Sequence, residues 1–281
     1  MQKVLIPTDF SETSMNAIKY AMSLLKYDKI DFTIMNAFAD EVYKSTKEMS
    51  REDFEKFKNT YQKNVASEFQ KEIAEIIEAS PNSKHSYNYI SRFGDLVDET
   101  NEIVDTENID LIVMGTKGKG NDKNITFGSN TLQVIKYVKC PVLAVPLGYH
   151  ESFIEKILFP SDYLMSFKRR ELKLVSTLAM SFGASIDFLY VSDFIKYTHR
   201  QLDNKSFLDN YFVDNKCNFL QISGKGITDS INKTVEDHKI DILVMVNQRH
   251  SYLENILYNS TIEEIGLQIK TPFLVLQNLH R

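Results

Sequence analysis

Val4-Leu5-Ile6-Pro7-Thr8-Asp9-Phe10 returns later in the chain as Ile157-Leu158-Phe159-Pro160-Ser161-Asp162-Tyr163, and two further stretches repeat in the same order. Ile109-Asp110-Leu111-Ile112-Val113-Met114 matches Ile240-Asp241-Ile242-Leu243-Val244-Met245, and Cys140-Pro141-Val142-Leu143-Ala144-Val145 matches Thr271-Pro272-Phe273-Leu274-Val275-Leu276. Chance supplies one such match, not three in a fixed order. Self-similarity on this scale outweighs any local motif in deciding domain organisation. The 281 residues therefore read as two homologous domains, 1–148 and 153–281, joined through 147–152.

Within each half, short apolar runs alternate with amphipathic stretches, the pattern of parallel strands linked by crossover helices. Strands are expected near 3–8, 31–37, 85–91, 111–114 and 142–146, and again near 156–160, 185–191, 216–222, 242–246 and 273–276. The fold class is α/β: two tandem, open, parallel five-stranded sheets with helices on both faces, a Rossmann-like architecture. Met15, Ile18, Met22 and Leu25 recur at helical spacing behind Ser11, a suitable N-cap. A longer stripe of Phe54, Phe57, Tyr61, Val65, Phe69, Ile73 and Ile76 reads as the core face of one long helix. The corresponding link in the second half is shorter and carries Phe194, Tyr197, Phe207, Tyr211 and Phe212, as core cover, an interface or a pocket wall.

Composition narrows the function classes. A formal net charge of -5 gives no global basic field to hold a nucleic acid. No run approaches the roughly 20 apolar residues a membrane span needs, and the first residues lack the apolar core of a signal peptide, so a cytoplasmic location is expected. Cys140 and Cys217 sit in strand-like contexts without a CxxC pair, as reduced core residues do. The histidines show no metal-ligand spacing.

Between the strand ending at Met114 and the helix after Asn130 lies Gly115-Thr116-Lys117-Gly118-Lys119-Gly120, followed by Gly128-Ser129 ten residues after Gly118. Glycine lets a ligand approach main-chain N–H groups closely, and a helix start after Gly128-Ser129 adds the positive end of a dipole. Both features suit phosphate, although a slack glycine loop fits the shape equally. Walker and dinucleotide patterns both fail here, because Asn121-Asp122 stands where Lys and Ser or Thr belong and Gly120 lacks a partner three residues on.

Taken together, Pro7-Thr8-Asp9, a helix opening at Ser11, and Gly115-x2-Gly118-x9-Gly128-Ser129 ahead of a strand at Pro141 resemble the universal stress protein (UspA-like) family. The resemblance covers both halves and implies an adenine-nucleotide alpha hydrolase-like fold with ATP, ADP or AMP across the carboxyl ends of the strands. It implies that Asp9 holds the adenosine end, Pro7 and Thr8 shape its wall, and the main chain of Ala37 meets the adenine edge. Met114 would pack near base or ribose, and Gly115, Gly118, Gly128, Ser129 and the N–H of Asn130 would receive the phosphates. Mg²⁺ is expected to arrive with the nucleotide. Asp9 as a helix cap, Ser129 as an N-cap, and Lys117, Lys119 and Lys123 as solvated residues or phosphate partners stay open.

The second half keeps Pro160 and Asp162, but Val246 faces Gly115, Arg249 faces Gly118, and Asn259 faces Gly128, with Ser260 facing Ser129. One nucleotide per chain is therefore expected, in the first half, with the second as its structural partner or as the site of a different ligand. The resemblance implies that 142–145 and 273–276 join within the chain, an intramolecular pseudo-dimer, with a homodimer as the alternative. It also implies a stress-response regulator acting through a protein partner. The alternatives are a slow ATP hydrolase and a pure interaction module. No catalytic residue or metal ligand is assigned.

Overall fold

The computed structural model describes residues 2–47, 49–116, 127–150, 153–193, 196–223, 226–247, 253 and 270–278. The first half runs β1 (Gln2–Pro7), α1 (Glu12–Leu24), β2 (Ile30–Ala37), α2 (Ala39–Ser45), α3 (Arg51–Ala79), β3 (His85–Arg92), α4 (Leu96–Glu107), β4 (Leu111–Gly115), α5 (Ser129–Tyr137) and β5 (Val142–Val145). The second runs β6 (Lys156–Pro160), α6 (Arg169–Phe182), β7 (Ser185–Val191), α7 (His199–Tyr211), β8 (Lys216–Ile222), α8 (Ile227–His238), β9 (Ile242–Asn247) and β10 (Phe273–Gln277).

The strands form one ten-stranded sheet in the order β3-β2-β1-β4-β5-β10-β9-β6-β7-β8. Read outward from its centre, each half has the same order, and all pairs within a half are parallel. The halves meet where β5 and β10 pair antiparallel, Val142 opposite Val275 and Ala144 opposite Phe273. Each half thereby covers the edge strand that the other would expose.

Alternation along the strands explains the two cores. Val4 and Ile6 point to one face and Leu5 to the other, and Leu143 and Val145 likewise oppose Val142 and Ala144. Both clusters contain residues of both halves, so the apolar interior is continuous across the central pair. A buried polar clasp reinforces that join. Asn247 Nδ2 donates to Ile135 O at 3.0 Å and to Gln277 Oε1 at 2.9 Å, while Gln277 Nε2 donates to Ile135 O at 2.8 Å.

Ser11 caps α1 as expected, its hydroxyl accepting from Ser14 N. The long apolar stripe divides into two parts. Val65, Phe69, Ile73 and Ile76 are buried against the sheet, whereas Phe54 and Phe57 are half-buried and join an aromatic group with Tyr43, Phe93 and Tyr61. Length accounts for this. The 29 residues of α3 extend about 43 Å, while the eight residues of β3 extend about 26 Å. The first turns of α3 therefore overshoot the strand and pack on α2 instead.

In the second half, Phe212 is buried, and Tyr197, Phe207 and Tyr211 pack partly buried against the core, which makes them core cover; Phe194 lies outside the described residues. Cys140 is buried and Cys217 half-buried, and neither is in a disulfide. Burial, with Asp209 and Asp187 nearby, pushes the Cys217 thiol up to about 11, which suits a packing role. Among the described residues no helix is long and apolar enough to cross a membrane.

Candidate functional site

The carboxyl end of β1 turns sharply. Thr8 N continues the ladder to Met35 O at 2.8 Å, and Phe10 then adopts a left-handed φ of 59°. Such an angle is costly for an aromatic residue and persists only where neighbours fix it. Here two side chains do so. Thr8 Oγ1 accepts from Phe10 N at 3.1 Å, and Asp9 Oδ1 accepts from Ser11 N at 3.1 Å. The Thr8 hydroxyl also bonds that of Ser14 at 2.9 Å, which ties the turn to the first turn of α1. Ser11 is the helix cap, so Asp9 shapes the turn one step earlier. The ring of Phe10 meets Phe69 of α3 edge-on at 4.9 Å.

Ala37 ends β2 half-exposed, and Phe38 behind it stacks on Tyr61 of α3 at 5.4 Å. Burial, then the carboxylates of Glu41, Glu68 and Asp9, push the Tyr61 hydroxyl above its ordinary value, so this face of α3 stands beside the β1 turn. Asn36 was not singled out in the sequence. Its Nδ2 donates to Thr8 O at 2.8 Å, and its Oδ1 is buried with no partner among the described residues. Its signal was a polar amide at the end of an otherwise apolar strand.

Met114 and Gly115 end β4 beside β1, both buried. A Cβ at Gly115 would stand 2.6 Å from Thr13 Cγ2 and 3.0 Å from the Thr13 backbone C and O. The missing side chain thus lets the first turn of α1 lie directly on the end of β4. Packing alone explains this glycine, and any role toward phosphate is additional.

From Thr116 the chain enters the loop. Thr116 N donates to Val145 O at 3.0 Å, and on the return Gly128 N donates to Thr116 O at 2.8 Å. Gly118, Lys117, Lys119 and Lys123 lie outside the described residues, as do Arg249, Asn259 and Ser260 of the second half. Gly128 is the N-cap of α5, which makes Ser129 its first helical residue and not the cap. With φ -67° and ψ 158°, Gly128 holds a conformation open to any residue. What glycine contributes there is an absent side chain. Gly128 brings no side-chain oxygen to cap the helix, and the N–H groups of Ser129, Asn130 and Thr131 are left without intrahelical partners. Ser129 and Asn130 are exposed, whereas Thr131 turns inward and donates from Oγ1 to Gly115 O at 2.9 Å.

The structure thus gathers Pro7, Thr8, Asp9, Met114, Gly115, Gly128, Ser129 and Asn130 around the ends of β1 and β4, with Ala37 one strand away on β2. The N-termini of α1 and α5 both reach Gly115, one through Thr13 and the other through Thr131. Two positive dipole ends therefore face the same strand terminus.

The profile described as the universal stress protein family matches residues 1–146. Among curated proteins, universal stress protein MJ0577 of Methanocaldococcus jannaschii is 28% identical over 152 residues, 51% of this chain and 94% of the relative. Universal stress protein MJ0531 of the same organism is 30% identical over 154 residues, 51% of this chain and 81% of the relative. Among solved structures, a universal stress protein from Archaeoglobus fulgidus superposes with a TM-score of 0.70 at 20% identity, covering 98% of this chain and 96% of that one. The two-part sheet is thus a known architecture, and the chain belongs to the universal stress protein family.

Proposed function

We propose that the first half binds an adenine nucleotide, ATP, ADP or AMP, across the ends of β1, β2 and β4. The observation that carries this reading is the uncapped start of α5 beside the start of α1 at Gly115. In a strand order of 3-2-1-4-5, chain connections diverge between β1 and β4, the point at which open α/β sheets take ligands. Uncapped N–H groups there suit phosphate oxygens. Asp9 and the Ala37 main chain take the adenosine end, with Pro7, Thr8 and Met114 as its wall. Gly115, Gly118, Gly128, Ser129 and Asn130 take the phosphates, which bring Mg²⁺ with them. The units are 1–148, which binds, and 153–281, which pairs with it. Occupied and empty states then present different surfaces to a protein partner, as a cytoplasmic regulator of the stress response.

The test is mass spectrometry of nucleotide released on denaturing the purified protein, followed by calorimetric titration of the emptied protein with ATP, ADP and AMP. Near-unit stoichiometry for the whole chain supports the reading. Two nucleotides per chain, or none for any of the three, overturns it.

A further inference from the structure

Thr131 belongs to no part of the glycine motif, yet it is only 2% exposed and makes the one described side-chain bond between α5 and the end of β4, Oγ1 to Gly115 O at 2.9 Å. On the other side of the same turn, Gly128 N donates to Thr116 O at 2.8 Å. The first turn of α5 is thereby pinned to consecutive carbonyls of one strand terminus. Its exposed neighbours Ser129 and Asn130 carry the N–H groups that the proposed function assigns to phosphate. Ile262 occupies the matching position in the second-half sequence and has no hydroxyl to donate.

We infer that Thr131 is the positioning residue of the phosphate cradle: it fixes the distance from the α5 N–H groups to the adenosine end beside Asp9. The inference rests on the nucleotide-binding reading. Binding groups act at full strength only when held within about 0.5 Å of their productive positions. With the hydroxyl gone, the Gly115 carbonyl loses this donor, and of the two described hydrogen bonds that tie this turn to the end of β4 only that of Gly128 remains. The consequence is selective. Ligands that reach the cradle lose affinity in proportion to their phosphates, and a ligand confined to the adenosine end does not.

The experiment titrates ATP, AMP and adenosine into the wild-type chain and into Thr131→Val, Thr131→Ala and Thr131→Ser, with thermal melts of each. Thr131→Val, and equally Thr131→Ala if the valine variant fails to fold, is expected to weaken ATP at least tenfold and AMP less. Adenosine stays within about twofold, and Thr131→Ser returns ATP to within about threefold of wild type. Equal losses for ATP and adenosine, unchanged ATP affinity, or no rescue by serine would overturn the inference while wild-type binding leaves the nucleotide site standing. A wild-type chain that binds none of the three removes both.

Discussion

The two halves share one turn and differ in what is built upon it. In the second half Ser161 N donates to Leu189 O at 2.9 Å, Tyr163 takes a φ of 57°, and Ser161 Oγ and Asp162 Oδ1 accept from Tyr163 N and Leu164 N at 3.0 and 2.9 Å. Bond for bond this is the turn of Thr8, Asp9 and Phe10. The helices that follow are not equivalent. α1 begins three residues after Asp9, whereas α6 begins seven after Asp162. The reason stands at the end of the neighbouring strand. Gly115 admits the first turn of α1, and Val246 in its place does not, so 164–167 stay non-helical and Met165 and Phe167 line a pocket with Val246 and Leu253. One strand end thus receives the starts of α1 and α5, while the other is lined, among the described residues, largely by apolar side chains.

The most severe way to break the contrast is to carry the Val246 side chain across. Gly115→Val forces side-chain atoms onto the backbone of Thr13 and should destabilise the first half by about 1–3 kcal/mol, the usual range for overpacking. It should also abolish nucleotide-dependent stabilisation, because α1 and α5 both rest on this residue. Urea unfolding with and without ATP measures both effects. Unchanged stability would show that α1 yields without cost, contrary to the backbone contact.

Next comes the join between the halves. Asn247→Leu removes one of the two donors to Ile135 O and leaves Gln277 Oε1 buried without its partner. A loss of about 1–3 kcal/mol is expected, the cost of stranding a buried polar group. Denaturant titration checks it, and the loss should not depend on nucleotide.

The reciprocal change, Val246→Gly, sharpens the comparison. It should cost about 1–2 kcal/mol through lost burial and added chain entropy, and it should not create a second nucleotide site. Even with a longer α6, Arg249 and Asn259 still stand where the first half has Gly118 and Gly128. Calorimetric stoichiometry decides the matter: a second equivalent of ATP would show that the glycine by itself specifies the cradle.

Much of this was legible in the sequence, because strands buried on both faces read as apolar runs. Second-half strands 156–160 and 185–191 fall where such runs put them, and the partly exposed edge strand 216–222 falls where its alternation puts it. The repeat was legible for the same reason. Less visible were effects that depend on the third dimension. The overshoot of α3 follows from its length relative to β3, which a periodic stripe does not reveal. Gly115 looked like a ligand glycine because its packing partner, Thr13, lies about a hundred residues away. Thr131 and Asn36 were passed over because a hydroxyl and an amide carry no pattern until the carbonyls they meet are placed. The centre of the glycine loop, Gly118 with its lysines, is a sequence expectation only.

The finest probe concerns the two aspartates of the shared turn. Asp162 sits half-buried in the wall of the pocket that Val246 lines, and burial raises its carboxyl above the ordinary value. The N–H groups of Leu164 and of Asp162 itself, with Arg200, lower it only in part. A carboxyl raised on folding favours the protonated form, so its contribution is complete below the unfolded value of about 3.9. That contribution declines as pH rises through the folded value. Asp162→Asn keeps an oxygen for Leu164 N and does not titrate. The variant should therefore gain stability relative to wild type as pH rises from 3.5 to 7, with thermal melts at intermediate pH tracing the change. A difference independent of pH would mean that Asp162 is as well solvated as a surface carboxylate, and a variant that loses ground to wild type as pH rises would mean that its N–H partners and Arg200 outweigh burial. In the first case the second half would retain the open adenosine end that its apolar lining argues against.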